Sequence, residues 1–398
     1  MRRKINVLFL VHHAELGGGE ISLLETVKHL NKKRFSLIVT LGGKGPLKKR
    51  LDKAGIESIV VDVPEYFQKL KRDPKRKNSI VSFVKSVLAF KKLTKEIEKI
   101  IKQRNIDLVF ANTIKSAMYG IPAAHKCRVK SVWMLHDFLT EDFYKPLMLK
   151  GICMKTKHAD LVLCNSKAVK KVYLALAGKS FSEKTIVVYN GIDLKRFNPD
   201  VSGAAIEKEF GFTGEKVISL IGRLEPWKGQ KVFIKAAQIA LSKRKDLKFL
   251  IVGGALFGRE KFEQKCIALI KRFGLEKKVL MLGFRDDIPE IIAASDVIAH
   301  TSTKPEPFGR DVIEAMACGK TVIATNIGGP REIISKGSGV LIPANNPELL
   351  AKKIIQLLND PVKMKEIGAK ALERAKDFDI KIKAKKLEGI FTKLVGVQ

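Results

Sequence analysis

The feature that most constrains this chain is a regular alternation of short apolar runs with longer helical patterns. In the first half, runs rich in Val, Ile and Leu predict strands at 5–11, 35–41, 56–62, 107–111, 130–135, 159–164 and 185–189. The helical stretches between them include 20–31, 79–103, 113–126 and 142–157. In the second half, strands are predicted at 216–221, 247–253, 278–282, 296–299, 320–325 and 339–342, with helices at 229–243, 259–273 and 308–318. Short, uniformly apolar strands are typical of parallel sheets covered on both faces, so the pattern predicts α/β architecture with two doubly wound sheets.

Composition excludes several other classes of protein. Hydrophobic residues make up 45% of the 398 residues, which is too many for a disordered chain and enough for two domains. No apolar run reaches the ~18 residues that span a bilayer, and the run at 5–11 is too short for a signal peptide. The five cysteines are scattered without a Cys-x-x-Cys pair, so neither zinc nor a disulfide framework is expected and a reducing cytoplasm fits.

The net charge of +34 is concentrated in the first half of the chain. Residues 1–190 hold 38 Lys and Arg against 16 Asp and Glu. Such a field attracts anionic membranes, phosphorylated substrates or nucleic acid, and a Lys-rich thermophile surface is an alternative explanation. Basic and aromatic residues also mix in 63–78, and the helix that follows, 80–101, could lie on a membrane or pack on the sheet. No nucleic-acid partner is expected, because the charge is diffuse and no binding motif accompanies it.

The stretch 305–319 carries the strongest chemical signal. Pro305 and Pro307 forbid helix after the strand ending near 299, so Glu306 lies in a turn. A helix then starts near Phe308 and ends before Gly319. The backbone N–H groups of 308–312 are therefore expected to point into a strand–loop–helix mouth, where an anion binds well.

Two carboxylates bracket this helix start, Glu306 and Glu314. Ionised carboxylates accept hydrogen bonds from the hydroxyl pairs of sugars and ribose, so the pattern suits a nucleotide-sugar. The plain alternative is a buried helix with a solvated Glu at each end. Two cations on another loop that enters a helix, Arg223 and Lys228, can grip one diphosphate, since Arg offers a planar fork and Lys a point charge.

Glu306-x7-Glu314, with Phe308-Gly309 and then Ala315-Met316-Ala317-Cys318-Gly319, resembles the signature of retaining glycosyltransferases of family 4, and other motifs recur in order along the chain. The resemblance implies a GT-B fold of two Rossmann-like domains facing across a cleft. It places an acceptor-binding domain at 1–190, a donor-binding domain at 191–377, and a helix at 378–398 that crosses back to the first domain. Asn190-Gly191 is a turn signal at the boundary.

The resemblance also assigns roles to residues of this sequence. The catalytic group comprises Glu306 on the donor-sugar hydroxyls, Arg223 and Lys228 on the leaving diphosphate, and His136 reaching the donor sugar. Donor-binding residues are Gly18, Gly19, Gly222, Gly253, Phe284, Arg285, Phe308, Gly309, Arg310, Val312 and Glu314, with Glu314 on the ribose. No metal or other cofactor is expected, because Arg223, Lys228 and the helix dipole can take the place of a metal clamp.

The implied activity is transfer of a hexose, with retention of configuration, from a nucleoside-diphosphate sugar to a glycan or lipid-linked acceptor. A role in cell-envelope polysaccharide or glycolipid synthesis is expected, in the cytoplasm and peripheral on the inner face of the membrane. Two alternatives stay open, a nucleotide-sugar-binding protein without transfer activity and a different GT-B enzyme such as a sugar-nucleotide epimerase. The nucleotide base, the sugar and the acceptor are not specified by the sequence.

Overall fold

The computed structural model describes residues 3–64, 66, 80–255 and 258–396, and for residues 80–83 the backbone only. The chain divides into two compact units, Met1–Gly191 with Ile380–Gln398, and Ile192–Asp379. Most of the basic and aromatic stretch 63–78 lies outside the described residues. No helix in the described part of the chain has the length and apolar character needed to cross a membrane.

The first unit is built on a seven-stranded parallel sheet in the order β3-β2-β1-β4-β5-β6-β7. Its strands are β1 Ile5–Leu10, β2 Phe35–Leu41, β3 Glu57–Val60, β4 Leu108–Ala111, β5 Lys130–Leu135, β6 Leu161–Cys164 and β7 Thr185–Val187. Its helices are α1 Gly18–His29, α2 Pro46–Lys53, α3 Ile80–Gln103, α4 Ile114–Lys126, α5 Pro146–Thr156, α6 Lys167–Ala177 and, from the end of the chain, α15 Ile380–Val395. Alternate side chains of the strands pack against helices on both faces, as the continuous apolar runs predict.

The last helix belongs to the core of the first unit. Phe391 of α15 is fully buried, and its ring makes edge contacts with Phe9, Phe35 and Phe110 at centroid distances of 6.3, 6.0 and 5.8 Å. Ala384 and Leu387 join the same cluster. The face of the sheet formed by Val7, Phe9 and Phe110 would be partly uncovered without this helix.

Replacing Phe391 with alanine should therefore destabilise the first unit by about 3–5 kcal/mol, because a buried aromatic ring leaves a cavity. Ile382→Ala on the exposed side of the same helix is the matched control, and its effect should stay within about 0.5 kcal/mol. Urea unfolding followed by circular dichroism measures both. Equal effects of the two substitutions would show that α15 is not part of this core.

The second unit is built on a six-stranded parallel sheet in the order β10-β9-β8-β11-β12-β13. Its strands are β8 Lys216–Ile221, β9 Leu247–Val252, β10 Val279–Gly283, β11 Val297–His300, β12 Thr321–Thr325 and β13 Val340–Ile342. Its helices are α7 Ala204–Phe210, α8 Gln230–Lys243, α9 Glu260–Arg272, α10 Ile288–Ala293, α11 Arg310–Ala317, α12 Pro330–Ile333, α13 Pro347–Leu358 and α14 Pro361–Ala375. The prediction of two doubly wound, Rossmann-like α/β units is confirmed.

In both sheets the strand order reverses at one point, between β1 and β4 in the first and between β8 and β11 in the second. The loops leaving the carboxyl ends of those neighbouring strands go to opposite faces and open a crevice, where open α/β sheets bind their ligands. The switch points therefore place the glycine run at 17–19 in the first unit, and the loops 222–229 and 301–309 in the second, at ligand-binding positions.

Candidate functional site

The centre of the second unit's switch point is an ion pair between Lys228 and Glu306. The Lys228 Nζ lies 2.6 Å from Glu306 Oε2, with side chains only 15% and 11% exposed. Ser302 donates its hydroxyl to the same carboxylate oxygen at 3.2 Å. An ammonium carries three N–H donors, and Glu306 takes one of them. The sequence places these residues on separate loops, and the structure brings them together.

Backbone contacts hold the two loops in register. Thr301 Oγ1 donates to the Lys228 carbonyl at 3.0 Å, and the Thr303 N–H donates to the Trp227 carbonyl at 2.7 Å. Gly229 between them has φ +80°, and a Cβ there would meet the Thr301 carbonyl oxygen at 1.9 Å. The Lys228 ammonium also lies 4.9 Å from the centre of the Trp227 ring, a cation–π distance. The lysine is thus fixed on both its backbone and its side chain.

The segment Gly328-Gly329 supports the Glu306 backbone from the other side. The Gly329 N–H donates to the Glu306 carbonyl at 2.7 Å. A Cβ on Gly328, whose φ is +68°, would lie 2.2 Å from that carbonyl oxygen. Only glycine fits this approach, so Gly328 has a structural role in positioning the Glu306 backbone.

The helix after this loop, α11, starts two residues later than predicted. Gly309 is its N-cap with φ +102°, and no side chain caps the first turn. The Val312 N–H donates to the Gly309 carbonyl at 3.2 Å, so the prediction that it points at a ligand is wrong. The side chain of Val312 is fully buried, and Phe308 is buried with its ring 6.0 Å from that of Phe378. If an anion binds at this helix start, it is therefore the backbone N–H groups of residues 308–311, and not that of Val312, that can donate to it.

The second carboxylate of the motif, Glu314, is held on the same helix by Arg310. The Arg310 Nη2 donates to Glu314 Oε1 at 3.0 Å, one helical turn away. Burial raises the pKa of Glu314, with Arg310 opposing the shift and Asp311 adding to it. A carboxylate of this kind gains from the hydrogen bonds that ribose hydroxyls would donate.

A buried His–Asp pair lies beneath the first turn of α11, and the sequence reasoning missed it. His300 Nδ1 is 2.7 Å from Asp311 Oδ2, and both residues are buried. Burial alone would raise the pKa of Asp311, but His300, the charge of Lys228 and its own backbone N–H hold that pKa below its usual value. The signal was available, since His300 ends an apolar strand next to the motif.

We expect His300→Leu to cost about 3–5 kcal/mol at neutral pH, because it leaves the Asp311 carboxylate buried without its partner. The native pKa of Asp311 is depressed, so its contribution is present above the unfolded pKa and lost only as pH falls through the native value. In the variant, burial raises that pKa, so the deficit should shrink on acidification. Urea unfolding at several pH values measures this. The double variant His300→Leu/Asp311→Leu should recover stability, and a double variant as unstable as the single would contradict the pairing.

The predicted donor-binding residues Gly222, Gly253, Phe284 and Arg285 lie on loops at the carboxyl ends of β8, β9 and β10. Gly253 has φ +146°, and a Cβ there would lie 2.1 Å from the Gly222 carbonyl oxygen. Phe284 is exposed, and Arg285 forks onto Glu209 at 2.6 and 2.7 Å and onto Asp287 at 2.8 and 2.5 Å. Because its guanidinium is already held by these two carboxylates, Arg285 can hydrogen-bond to the base of a nucleotide through its backbone groups.

In the first unit, Gly19, His136 and Asn112 meet at the switch point. Asn112 donates to the Gly19 carbonyl at 3.1 Å and lies 3.1 Å from His136 Nε2 through its side-chain oxygen. A Cβ on Gly19 would touch the His136 ring at 3.4 Å. Asn112 directly follows β4, so its position at a strand end beside the switch could have revealed it. Gly18 opens α1, whose Glu20 carboxylate accepts the Gly17 N–H at 3.1 Å.

An Asp-x-Asp sequence, a common cue for a metal clamp on a diphosphate, occurs at Asp377-Phe378-Asp379. Asp377 pairs with Arg374 at 2.6 Å, one turn away. Among the residues that the structure describes, no group of three or more His, Cys, Asp or Glu side chains could hold a metal ion. Metal independence stays a prediction, which a chelator tests directly.

Two protein-family models match this chain. Residues 16–196 match the Glycosyltransferase Family 4 model, and residues 204–374 match the Glycosyl transferases group 1 model. Together they cover the glycine run and His136 in the first unit, and Arg223, Lys228, Glu306 and Glu314 in the second.

Known proteins agree with these matches. Anabaena Alr3699/HepE, solved in complex with UDP-glucose, is 30% identical with a TM-score of 0.84, over 98% of this chain and 100% of that one. A glycosyltransferase from Rickettsia africae is 25% identical with a TM-score of 0.81, over 100% of both chains. The D-inositol 3-phosphate glycosyltransferase of Kineococcus radiotolerans is 28% identical over 301 residues, 69% of each protein. Several other curated relatives are matched over only about half of their length, such as 53% for Bacillus subtilis spore coat protein SA. The chain belongs to glycosyltransferase family 4, the glycosyl transferases group 1, and has the GT-B type of fold.

Proposed function

We propose that this protein is a retaining, metal-independent hexosyltransferase that uses a UDP-sugar as donor. The observation that carries the proposal is the largely buried Lys228–Glu306 pair at the second unit's switch point, 2.6 Å apart, with Glu306 on the loop that leads into α11. In that position Lys228 can donate hydrogen bonds to a diphosphate, and Glu306 can accept hydrogen bonds from sugar hydroxyls. UDP is favoured over other nucleotides because HepE, similar over nearly the whole chain, was solved with UDP and with UDP-glucose.

The charges suit the chemistry of the leaving group. Breaking the bond between the sugar and the diphosphate builds negative charge on the departing oxygen. The two remaining N–H donors of Lys228, the Arg223 guanidinium and the start of α11 would stabilise that charge without a metal ion. Glu306 would hold the sugar through its hydroxyls, which fixes the anomeric carbon without a covalent bond to the protein.

Retention of configuration is proposed through attack from the leaving-group side, with the departing phosphate accepting the acceptor's proton. Glu306 and Glu314 cannot act as the paired carboxylates of a glycosidase, because they are assigned to opposite ends of the donor. His136, held by Asn112 and packed on Gly19, is proposed to contact the donor sugar as a positioning group.

The acceptor is proposed to be a glycan or lipid-linked molecule that carries phosphate, bound by the first unit. The excess of 38 Lys and Arg over 16 Asp and Glu in residues 1–190 favours an anionic partner. The name of the Kineococcus relative, which specifies inositol 3-phosphate, points to the same acceptor chemistry. A role in cell-envelope synthesis at the inner face of the membrane follows from this acceptor class and stays part of the proposal.

The test is thermal unfolding with UDP, GDP or ADP, with UDP-glucose, and with and without EDTA. A ligand at 100 times its Kd should add about 2.7 kcal/mol to the free energy of unfolding. We expect UDP and UDP-glucose to stabilise the protein and EDTA to change nothing. Stabilisation by GDP or ADP alone would exclude the UDP proposal, and loss of the shift in EDTA would exclude metal independence.

Two rivals predict different results in a turnover assay. A binding protein without transfer activity would show the thermal shift but leave UDP-glucose intact. An epimerase would convert UDP-glucose into an epimeric UDP-sugar without releasing free UDP. A transferase produces UDP in proportion to glycosylated acceptor.

A further inference from the structure

Helix α5 of the first unit presents an unusual outer face. Leu147, Met148 and Met154 are 75%, 41% and 69% exposed, although all three are large and apolar. The inner face of the same helix is occupied by Leu149 and Ile152, which are buried in the core. Leu147 and Met154 therefore leave most of their apolar surface in water, where a helix normally carries polar residues.

Lysines surround this apolar patch. Leu147 and Met154 are seven residues apart and share one face, with Lys150 between them and Lys155 and Lys157 at its edges. The sequence 143–159 contains no Asp or Glu, and within the described part of the chain these three lysines form no ion pair. Apolar side chains ringed by unneutralised lysines are the pattern of helices that lie in an anionic lipid interface.

A second helix on the same face of the sheet repeats the pattern. Helix α4 packs against both α3 and α5, so the three helices form one layer. On α3, Val84, Val87 and Leu88 are exposed at helical spacing. The sequence 80–95 also lacks acidic residues and carries Lys85, Lys91, Lys92 and Lys95, although Lys92 pairs with Asp62 at 2.6 Å.

We propose that the outer face of α5, extended by α3, docks the protein on an anionic lipid bilayer. The occupant is a membrane surface rather than a protein, because the patch combines apolar tips with a ring of cations, which suits acyl chains below and phosphate headgroups around them. The proposal deepens the proposed function, since a docked first unit would meet lipid-linked acceptors at the surface where they reside. It does not depend on any residue of the donor site.

The test is co-sedimentation with vesicles of phosphatidylcholine alone or with 30% phosphatidylglycerol, in about 0.1 M salt. The full chain should bind the anionic vesicles and not the neutral ones, and ~0.5 M salt should weaken binding. Lys150→Gln/Lys155→Gln should weaken partitioning about thirtyfold, since each lysine near the surface contributes about fivefold. Leu147→Ser/Met154→Ser should weaken it about tenfold.

The matched control is Val362→Ser on α14, where an 81% exposed apolar residue also neighbours lysines, Lys363 and Lys365, in the second unit. This control should bind vesicles like the unmodified protein. Equal binding to neutral and anionic vesicles, or equal loss in the control, would overturn the proposal. So would self-association that disappears in Leu147→Ser/Met154→Ser without any vesicle binding, because the face would then be a protein interface.

Failure of this proposal can be told apart from failure of the proposed function. The α5 variants should keep the full thermal shift with UDP, since none of the substituted residues belongs to the set assigned to donor binding. A variant such as Glu306→Gln should keep full vesicle binding. Vesicle binding without a UDP shift would support the docking surface alone.

Discussion

Glu306→Gln should reduce turnover of the UDP-sugar by about 100- to 1000-fold while leaving the protein folded. Glutamine keeps the size of the side chain but removes the charge that fixes the Lys228 ammonium at 2.6 Å and that receives the sugar hydroxyls. Losing one preorganised electrostatic contact in a buried site typically costs about 2.7–4 kcal/mol in the transition state. The loss should appear in kcat, because binding of the nucleotide portion relies on other groups.

The matched control for this substitution is Glu348→Gln, the same change at an exposed position on α13 of the same unit. Its turnover should equal that of the unmodified protein. Steady-state release of UDP at saturating donor measures both variants. Full activity of Glu306→Gln would remove Glu306 from the reaction and with it the role proposed for the ion pair.

Gly229→Ala should abolish turnover to below about 1% and also destabilise the second unit. The added Cβ would lie 1.9 Å from the Thr301 carbonyl oxygen and 2.8 Å from its hydroxyl, at a backbone φ of +80°. The carbonyl oxygen belongs to the backbone and the hydroxyl is held by its hydrogen bond to the Lys228 carbonyl, so the loops must separate and carry Lys228 away from Glu306. Displacement of a reacting geometry by about 1 Å costs on the order of 100-fold.

Gly274→Ala provides the control, because its φ of +65° is equally left-handed but nothing lies within 4 Å of the added Cβ. It should cost only the conformational strain of about 1 kcal/mol and leave turnover unchanged. Turnover is compared at a temperature where circular dichroism shows both variants folded. If Gly229→Ala were no worse than Gly274→Ala, close packing of the two loops would not be needed to hold the site.

The fold was largely predictable because it depends on a local and repeated signal. Parallel strands covered on both faces need short apolar runs, and the predicted runs at 216–221 and 130–135 agree with β8 and β5 to the residue. The predicted first and last residues of helices were less accurate, because the residues next to a helix can belong either to the helix or to the adjoining loop. The helix predicted to begin at 142 starts at Pro146, whose fixed φ suits the first helical position.

The candidate site was predictable as a set of loops but not as a set of contacts. The motif residues Lys228 and Glu306 were both identified, yet their pairing joins positions 78 residues apart and depends on sheet order. The His300–Asp311 pair was missed because His300 was interpreted only as the last residue of an apolar strand, and its closeness to the motif was not used. Asn112 was missed because its position at a strand end is its only sequence signal, and the sheet order that makes this strand end a switch point emerges only from the structure.

The outer face of α5 was missed for a different reason. A helix that packs on a sheet is expected to point its apolar residues inward, and Leu149 and Ile152 satisfy that expectation. The additional apolar residues at 147 and 154 look like part of the same core until the structure shows which side each one occupies. Only the three-dimensional arrangement separates an interior stripe from an exposed patch.

The most direct measurement is proton NMR of UDP-α-glucose incubated with the protein in EDTA, with water as a slow acceptor. The anomeric signal of the first glucose released reports the stereochemistry before mutarotation obscures it. We expect enzyme-dependent consumption of the donor with α-glucose appearing first, and loss of that consumption in Glu306→Gln. Release of β-glucose first, or consumption only after a divalent metal ion is restored, would contradict it.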